Sequence, residues 1–488
     1  MRGTTVTRTP ASPWTASRLA ELLLAGDPAQ VCLHFGRPVC PDELRGLVQD
    51  QAVRLRAAGL QDRGALALRL PPSLAFVVAL LAGWTCGAQV SLLDHRLTEA
   101  ETQQALERVG AQVVVTGTEV VTGRLRGYAE ATPVAAARPG GRPPATDHAL
   151  VQLSSGSTGG SKVIARTAAD LHLELERYAA LESPAYPAAG ERMVVLASVV
   201  HVLGLVGGLL RGLAAGVPLA FAERLTGEGI LAAVAAEPLP TTVLGVPFHA
   251  ELLAAADGPR VPNLRGAIVA GELVRPGLPG AFRARHGVPL GTMYGMTEVG
   301  VIATDLDGSR YPSVQPCIEV RAVDGELQVR RESSPYLGLS DPTRWAGGWL
   351  RTRDAATVDP ATGAVTIRGR LDSQVSIGGL KVDLTEVEQT MAGLPEVAEV
   401  VVLHDDGIEA YLALVPGARQ DAVEAAIARE LAAFKRPRRL RVLPALPRTA
   451  TNKVVRDVTV LRRAAAPATA PEPGEEARPA PAGAPDEH

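Results

Sequence analysis

The chain has 488 residues, enough for about three domain-sized units with a large buried core. Its formal net charge of -3 excludes the strongly basic surface typical of nucleic-acid-binding proteins. The longest apolar run, residues 74–84, is too short to cross a bilayer. Four cysteines form no CxxC pair, and we expect no signal peptide before them. We therefore expect reduced thiols and a cytoplasmic protein with neither nucleic-acid nor membrane partners.

Strand and helix patterns alternate through the first 300 residues, which predicts an α/β fold with parallel, doubly wound sheets. Residues 1–30 show no clear pattern. The predicted elements then follow in order: helix 41–59, strand 65–70, helix 74–84, strand 89–93, helix 98–109 and strand 113–116. Later strands are predicted at 193–197, 218–222, 242–244, 266–270 and 289–293, with Ala/Leu-rich helices between them. Residues 133–146, rich in Pro, Gly and Arg, are interpreted as a connector between two sheets.

After residue 300 the pattern changes to short alternating strands. Residues 318–321 and 327–330 flank Asp324-Gly325, a strong hairpin signal, and a second hairpin is expected around residues 360–363. Together they predict a small antiparallel β subdomain that completes a large domain of residues 1–371.

The pattern of residues 372–462 predicts a small α+β domain. Residues 463–488, which are mostly Ala, Pro and Glu, are expected to form a disordered tail.

One stretch, residues 150–162 with the sequence LVQLSSGSTGGSK, has the chemistry of a phosphate-binding loop. A short apolar strand leads into glycines that let the backbone approach a ligand, while hydroxyl and amide groups supply donors. It is not a Walker loop, because Lys162 has neither the Gly before it nor the Ser or Thr after it. On its own, such a loop is more often a mobile surface turn.

Residues 150–162 and four further stretches resemble, in the same order, the motifs of the adenylate-forming superfamily of acyl-CoA synthetases, adenylation domains and luciferases. The four are YGMTE at 294–298, GWLRTRD at 348–354, GRLD at 369–372 with GGLK at 378–381, and LPRT at 446–449 with Asn452-Lys453. The resemblance covers most of residues 40–460. It implies a large amino-terminal domain that binds ATP and an acid, and a small mobile carboxy-terminal domain.

Activating an acid with ATP brings a carboxylate against a phosphate, so catalysis must come from positive charge and fixed donors around the phosphates. The resemblance implies that the phosphates are held by Ser154, Ser155, Gly156, Ser157, Thr158, Gly159 and Lys162. Thr158 would also take part in catalysis and in binding Mg²⁺. Glu298 would be the carboxylate ligand of Mg²⁺, although it could instead cap a helix.

The nucleoside side of the site is implied to consist of Gly271, Glu272, Tyr294, Gly295, Thr297, Asp354 and Arg370. Tyr294 would stack near adenine, Thr297 would reach the α-phosphate, and Asp354 would accept the ribose hydroxyls with the arginine beside it. Gly271 and Glu272 could also be an ordinary connection between a strand and a helix. Arg353 stands where the superfamily commonly has Gly, which puts the local loop geometry in doubt.

Lys453 lies where the superfamily carries its adenylation lysine, which implies that it reaches the attacking carboxylate and the α-phosphate. Asn452 replaces the common Gly before it, and Asn tolerates the left-handed conformation that the turn needs. The hinge and the thiol channel would be formed by Asp372, Gly378, Gly379 and Lys381. The glycine pair alone would also fit an ordinary β-turn.

Lysine is rare in this chain. Of 49 Lys and Arg residues, the four lysines are Lys162, Lys381, Lys435 and Lys453. Three of them fall inside the motifs above. A compact ammonium group is not replaced by a planar guanidinium where one phosphate oxygen must be met in a tight space, which favours a functional reason for these lysines.

The substrate pocket is expected to include His201, Val202 and Gly295. His201 lies where acid-activating members carry a His near the carboxylate, although a lone His in an apolar run is more often a core residue. Val202 stands where α-amino-acid-activating members place an Asp, which disfavours an α-amino acid. The run VIART at 163–167 resembles aryl-acid AMP ligases of siderophore and related secondary metabolism, favouring an aromatic or small cyclic acid.

The resemblance therefore implies an AMP-forming acid–thiol ligase that uses ATP and Mg²⁺ and transfers the acid to coenzyme A or to phosphopantetheine. A basic run could meet a coenzyme A phosphate or an acidic acyl or aryl carrier protein, or could be a solvated face. Its residues are Lys435, Arg436, Arg438, Arg439 and Arg441. Two alternatives remain open: the adenylate is passed to an amine, or the chain is a catalytically degenerate nucleotide-binding homologue.

Overall fold

The computed structural model describes residues 14–465 except 96, 98, 120–125, 155–161, 182, 184, 339–340, 372–373, 378–379, 406, 432–434 and 450–451. Their contacts divide the chain into two compact units, Met1–Gln374 and Val375–His488. The predicted hinge residue Asp372 lies outside the described residues.

Helices of the first unit follow the predicted positions closely. They are α1 (Ala16–Leu23), α2 (Pro41–Ala57), α3 (Leu74–Thr85), α4 (Glu99–Val109), α5 (Ala168–Ala179), a π-helix at Leu203–Leu210, α6 (Arg211–Ala215), α7 (Gly227–Ala235), α8 (Pro247–Ala254) and α9 (Leu278–His286). Helix α1 lies within residues 1–30, where the sequence showed no clear pattern and only a partly ordered segment was expected. Thr15 Oγ1 accepts the N–H of Arg18 and begins the helix, and Leu19 and Leu23 are buried in the core.

Strands of the first unit are short and mostly buried. They are β1 (Leu33–His34), β2 (Pro38–Val39), β3 (Ala65–Arg69), β4 (Gln89–Leu92), β5 (Val113–Glu119), β6 (Ala131–Ala137), β7 (Leu150–Ser154), β8 (Lys162–Arg166), β9 (Arg192–Val195), β10 (Leu219–Ala220), β11 (Thr241–Gly245), β12 (Leu264–Val269), β13 (Leu290–Met296), β14 (Gly300–Asp305), β15 (Ser313–Pro316), β16 (Val320–Val323), β17 (Glu326–Arg330), β18 (Trp345–Ala346), β19 (Trp349–Val358) and β20 (Val365–Arg370).

Over the described residues these strands form two sheets with helices between consecutive parallel strands, which confirms the predicted α/β class. One sheet has the order β6-β5-β3-β4-β7-β8, with parallel pairs inside and an antiparallel pair at each edge. The other, of 14 strands, is parallel through β10, β9, β11, β12 and β13 and antiparallel from β14 onward.

The division between the sheets differs from the sequence prediction. Part of the predicted connector 133–146 lies in strand β6, because Pro133 sits on an edge strand where its missing N–H removes no necessary ladder bond. Strands β7 and β8 pair with the first sheet although they follow the connector. The predicted antiparallel subdomain continues the 14-stranded sheet, because β15 pairs with both β14 and β20.

Parallel strands β9, β11, β12 and β13 bring four connections to one edge of the larger sheet, since parallel strands end on the same side. The turn that carries His201 follows β9, Gly271 follows β12, and Glu298 follows β13. Ligands of open α/β sheets bind beyond the carboxyl ends of the strands. The topology therefore collects residues that are up to 97 positions apart in sequence at one candidate site.

The second unit has its own apolar core. Its elements are β21 (Gln374–Ile377), which starts at the last residue of the first unit, β22 (Leu380–Asp383), α10 (Leu384–Ala392), β23 (Val397–Asp405), β24 (Gly407–Leu414), α11 (Gln420–Glu430), β25 (Arg439–Val442) and α12 (Val458–Ala465). The predicted start of the disordered tail at residue 463 was wrong, because helix α12 continues to Ala465 and is anchored by the buried Leu461. Residues 466–488 lie outside the described residues.

Glu409 on β24 joins helix α12 to the sheet. It is 1% exposed, accepts bonds from Arg439 Nη1 at 2.6 Å and from the Tyr411 hydroxyl at 2.5 Å, and contacts Arg462 of α12. The Arg462 guanidinium is the main cause that lowers the pKa of Glu409 from 4.5 to about 2.

Because the pKa of Glu409 is lower in the folded state, its stabilising contribution is complete above pH 4.5 and is lost as the pH falls toward 2. We expect about 1–2 kcal/mol, since both arginines are partly solvated and screened. The protection of the β24 amides in the full chain, which is the intrinsic hydrogen-exchange rate divided by the observed rate at the same pH, should therefore decrease between pH 5 and pH 3. Glu409→Gln should flatten this dependence, whereas exposed Glu424→Gln should leave it unchanged. Equal pH dependence in all three chains would contradict the assignment.

No described helix combines the length and the apolar character needed to span a membrane.

Candidate active site

Asp354 is the centre of a hydrogen-bonded cluster on the larger sheet. It lies within β19, opposite Arg370 of β20. Arg370 Nη1 donates to Oδ1 at 3.1 Å, and the Tyr294 hydroxyl donates to Oδ2 at 2.5 Å. Burial, followed by the Asp354 charge, raises the pKa of Tyr294, so the hydroxyl stays protonated as a donor. A carboxylate has room for about four hydrogen bonds, so these two donors do not by themselves fill the acceptor capacity of Asp354.

An irregularity within β19, just before Asp354, shows how this chain keeps the geometry without the common Gly. Arg353 has a φ of +63°, in the left-handed region that Gly adopts most readily. Its N–H donates to Glu326 Oε1 at 3.0 Å, and Arg351 Nε donates to Glu326 Oε2 at 2.6 Å. The buried Glu326 carboxylate thus stabilises the strained residue. This removes the doubt that the sequence raised about the loop.

Glu298 and Lys162 are linked by Tyr336, which the sequence analysis missed. The Tyr336 hydroxyl donates to Glu298 Oε1 at 3.0 Å, and Lys162 Nζ lies over the Tyr336 ring at 5.8 Å from its centroid. Both Glu298 and Tyr336 are buried, at 9% and 7% exposure. The pair Pro335-Tyr336 carries no motif signal of its own, so only the fold brings it to the site.

The charges around Lys162 connect the two parts of the site. Burial is the largest cause that lowers the pKa of Lys162, and Arg344 and Arg370 act in the same direction while Glu298 opposes them. Lys162 therefore senses both Glu298 and the arginine that pairs with Asp354.

The turn that carries His201 is fixed to the strand that leads into the Ser/Gly loop. Gln152 of β7 is 6% exposed, and its Nε2 donates to the carbonyl of Val200 at 2.8 Å. His201 is exposed and Val202 half-buried at the start of the π-helix, a form of helix often found at functional sites. Gly204 is required there because a Cβ would overlap the carbonyl oxygens of Ala197 and Ser198. Sequence analysis predicted an ordinary helix and did not identify Gln152.

A fully buried ion pair supports the turn after Glu298. Glu174 of α5 is 0% exposed, and its Oε2 lies 2.6 Å from Arg166 Nη1. Its Oε1 accepts the N–H of Val301 at 3.0 Å. Gly300 has a φ of +87°, and a Cβ there would overlap the Glu174 carboxylate. The ion pair thus fixes the backbone two to three residues after Glu298.

Other predicted residues surround these groups. Gly271, with a φ of +92°, and Glu272 are exposed beyond β12. Gly295 is exposed on β13, where a Cβ would clash with the carbonyl of Gly300, and Thr297 is half-buried beside Glu298. Ser155, Gly156, Ser157, Thr158, Gly159, Asp372, Gly378 and Gly379 lie outside the described residues. The side chains of Ser154 and Lys381 are likewise outside the description, so their predicted roles stay predictions.

On the second unit, Lys453 is exposed in a tight hairpin. Thr449 N–H donates to the Lys453 carbonyl at 2.7 Å, and Lys453 N–H donates to Thr449 Oγ1 at 3.2 Å. Asn452 has a φ of +65°, the left-handed conformation that the sequence predicted. Arg448 Nη1 donates to the Asn452 carbonyl at 2.7 Å and holds the hairpin closed.

Two arginines of the basic run form bonds within the second unit itself. Arg436 donates to the carbonyls of Leu431 and Ala428 at the end of α11, and Arg439 pairs with Glu409. These two guanidinium groups stabilise the unit itself. The run is therefore not a uniform solvated face.

The residues present fit Mg²⁺ that enters with ATP. Within the described part of the chain, no group of three His, Cys, Asp or Glu side chains could form a metal cage. Glu298 offers one buried carboxylate, of which Oε1 accepts the Tyr336 hydroxyl and Oε2 accepts no bond from the residues that the structure describes. One or two carboxylates together with substrate phosphates are a usual ligand set for Mg²⁺.

The residues above lie beyond the carboxyl ends of the parallel strands or on the antiparallel strands that continue the sheet, which is the ligand-binding edge of an open α/β fold. The chain belongs to the AMP-binding enzyme family of adenylate-forming proteins, since the family model matches residues 26–334 and the model of the family's C-terminal domain matches residues 386–453.

Two curated relatives are named for aromatic acids. p-Hydroxybenzoic acid–AMP ligase FadD22 of Mycobacterium tuberculosis is 32% identical in an alignment of length 250 that covers 44% of this chain and 35% of that protein. Benzoate–CoA ligase of Thauera aromatica is 29% identical in an alignment of length 350 that covers 64% of this chain and 65% of that protein. The chain thus spans less than two thirds of the length of these relatives.

The fold also occurs in solved structures. The crystal structure of the anthranilate CoA ligase AuaEII in complex with anthranoyl-AMP superimposes with a TM-score of 0.76 at 22% identity, covering 93% of this chain and 97% of that one. This similarity establishes the common fold.

Proposed function

We propose that the chain activates an aromatic or small carboxylic acid without an α-amino group, forming an acyl-adenylate from ATP, and transfers the acyl group to a pantetheine thiol of coenzyme A or of a carrier protein. The observation that carries this proposal is geometric: Tyr336 contacts both Lys162 and Glu298, and Asp354 is held by Tyr294 and by Arg370, whose charge acts on Lys162. Lys162, Glu298 and Asp354 are the phosphate, metal and ribose residues implied by the family motifs.

In the first half-reaction, an oxygen of the acid attacks the α-phosphorus of ATP and the bond to pyrophosphate breaks. Lys162 holds a phosphate oxygen, Asp354 accepts the ribose hydroxyls, and Lys453 neutralises the charge that develops on the α-phosphate. Glu298 would be the protein ligand of Mg²⁺ that enters with the nucleotide, and the ion would supply further neutralisation of the phosphates. In the second half-reaction, the thiol sulfur attacks the acyl carbon, AMP leaves, and the thiol proton passes to solvent.

The substrate class rests on the π-helix and on the relatives. Val202 offers no charge to an ammonium group, and His201 is exposed beside it. The two relatives named for benzoate-type acids support an aromatic acid. Arg436 and Arg439 bond within their own unit, which weakens the case that the basic run binds a coenzyme A phosphate. Because this evidence for a coenzyme A acceptor is weaker, an amine acceptor is the second candidate.

We expect Asp354→Asn to raise the KM for ATP about 10- to 30-fold, because hydrogen bonds to a charged acceptor contribute more than bonds to a neutral one. The KM for the acid should change little. The matched control is Asp359→Asn in the exposed hairpin between β19 and β20, whose carboxylate bonds only local turn residues. Equal KM values for ATP in both variants would contradict the ribose role.

The proposal is tested by a pyrophosphate-release screen over aryl and alkyl acids, with and without coenzyme A. Acid-dependent release with acyl-CoA formation supports the full reaction. Acid-dependent release without a thioester favours a carrier protein or an amine as acceptor. No release with any acid would overturn the proposal and favour the degenerate homologue.

A further inference from the structure

Tyr336 occupies a position between the two charged groups that bind the nucleotide in the proposed function. Its side chain lies in the segment between β17 and β18, outside the five motifs of the superfamily. The hydroxyl donates to Glu298 Oε1, and the ring lies beneath Lys162 Nζ. One buried side chain thus contacts both a carboxylate and an ammonium group.

The backbone of Tyr336 is tied to the strand that begins at Lys162. Ala165 N–H donates to the Pro335 carbonyl at 2.8 Å, and Leu337 N–H donates to the Val163 carbonyl at 2.9 Å. Ile164 and Tyr336 form an antiparallel bridge between these bonds. The backbone of Tyr336 therefore cannot shift relative to β8 without breaking these hydrogen bonds, so the sheet rather than a loop fixes the point from which its ring extends.

The Tyr336 hydroxyl limits what Glu298 can do. A carboxylate held by a donor at Oε1 keeps its orientation and presents Oε2 to a ligand. Without that donor, the carboxylate could rotate and pair directly with Lys162, whose charge already acts on the same site. In such a pair, the Glu298 carboxylate would no longer be available to a metal ion, and the Lys162 ammonium group would no longer be available to the phosphates.

We propose that Tyr336 is a positioning residue that keeps Glu298 and Lys162 apart and oriented, so that the divalent cation and the phosphates of ATP bind to separate groups. The inference rests on the proposed function for the identity of the ligand. It predicts that loss of the hydroxyl weakens binding of the metal–nucleotide complex and leaves the acid site intact.

The test compares Tyr336→Phe with Tyr311→Phe, whose hydroxyl donates to the Val274 carbonyl at 3.0 Å outside the site. For Tyr336→Phe we expect the Mg²⁺ concentration at half-maximal pyrophosphate release to rise about tenfold, with the KM for the acid unchanged. The affinity of the full chain for Mn²⁺·ATP, followed by electron paramagnetic resonance, should fall by a similar factor. Tyr311→Phe should change neither quantity. Unchanged Mn²⁺·ATP affinity in Tyr336→Phe overturns the inference.

A double-mutant cycle separates positioning from a general structural effect. If Tyr336 acts through Glu298, Tyr336→Phe has no further effect on Mn²⁺·ATP affinity in a Glu298→Gln background. Additive losses overturn the inference. The binding measurement does not depend on catalysis. If the wild-type chain binds Mn²⁺·ATP but releases no pyrophosphate with any acid, the proposed function is contradicted. The double-mutant cycle would still decide whether Tyr336 positions Glu298.

Discussion

Replacing Lys453 with Ala is expected to slow acyl-adenylate formation by about 100- to 1,000-fold while ATP affinity changes little. The physical reason is that Lys453 would meet charge that grows on the α-phosphate only as the acid attacks, so its loss raises the barrier more than it weakens binding. Acid-dependent pyrophosphate exchange measures the rate, and ATP titration measures the affinity. Thioester formation from preformed acyl-adenylate should be nearly unaffected.

Two further variants sharpen this test. Lys453→Arg keeps the charge but replaces a compact ammonium with a planar guanidinium, so we expect most of the rate loss to remain. The matched control is Arg463→Ala, which removes an exposed cation from α12 of the same unit. Pyrophosphate exchange at the wild-type rate in Lys453→Ala would refute the assignment of this residue.

Replacing Glu174 with Ala is expected to destabilise the first unit by about 3–5 kcal/mol, because it leaves the buried Arg166 guanidinium without its anion. The Val301 N–H would lose its acceptor as well. Since this N–H lies three residues after Glu298, the same change should weaken binding of Mg²⁺·ATP. The loss of stability is measured by unfolding the full chain in urea, with hydrogen exchange of the α5 and β14 amides as the readout.

The matched control for this prediction lies on the same helix. Glu176 has a 62% exposed side chain near His172, so Glu176→Ala should change stability by less than about 0.5 kcal/mol. Glu174→Gln should fall between the two, because it keeps an acceptor for Val301 but removes the charge opposite Arg166. A Glu174→Ala chain as stable as Glu176→Ala would show that the buried ion pair does not hold the turn.

Much of the fold could be predicted because local patterns carry it. Apolar runs gave the buried strands and α3, and Asp324-Gly325, both with positive φ, gave the hairpin between β16 and β17. The same patterns did not say which strands pair. Strand β6 was missed because Pro133 is read as a breaker, although an edge strand tolerates it. Helix α1 was missed because its pattern is short.

Part of the site could also be predicted, since the residues within each motif are close together in sequence and carry distinctive chemistry. Asp354 and Arg370 were paired in advance, and they face each other across β19 and β20. Tyr336, Gln152 and Glu174 could not be found this way. Their hydrogen-bond partners lie 38, 48 and 127 residues away, and no local spacing encodes such a contact.

By itself, the sequence determined the family motifs, the order of strands and helices, and the left-handed turn at Asn452 before Lys453. These properties depend on neighbours along the chain, whose steric and hydrogen-bonding preferences are local. Only the tertiary structure decided how the strands divide into sheets and which buried side chains hold the reactive ones. Glu298 owes its orientation to Tyr336, and the turn beyond it to Glu174, because burial makes a hydrogen bond or an ion pair necessary wherever the fold brings polar groups together.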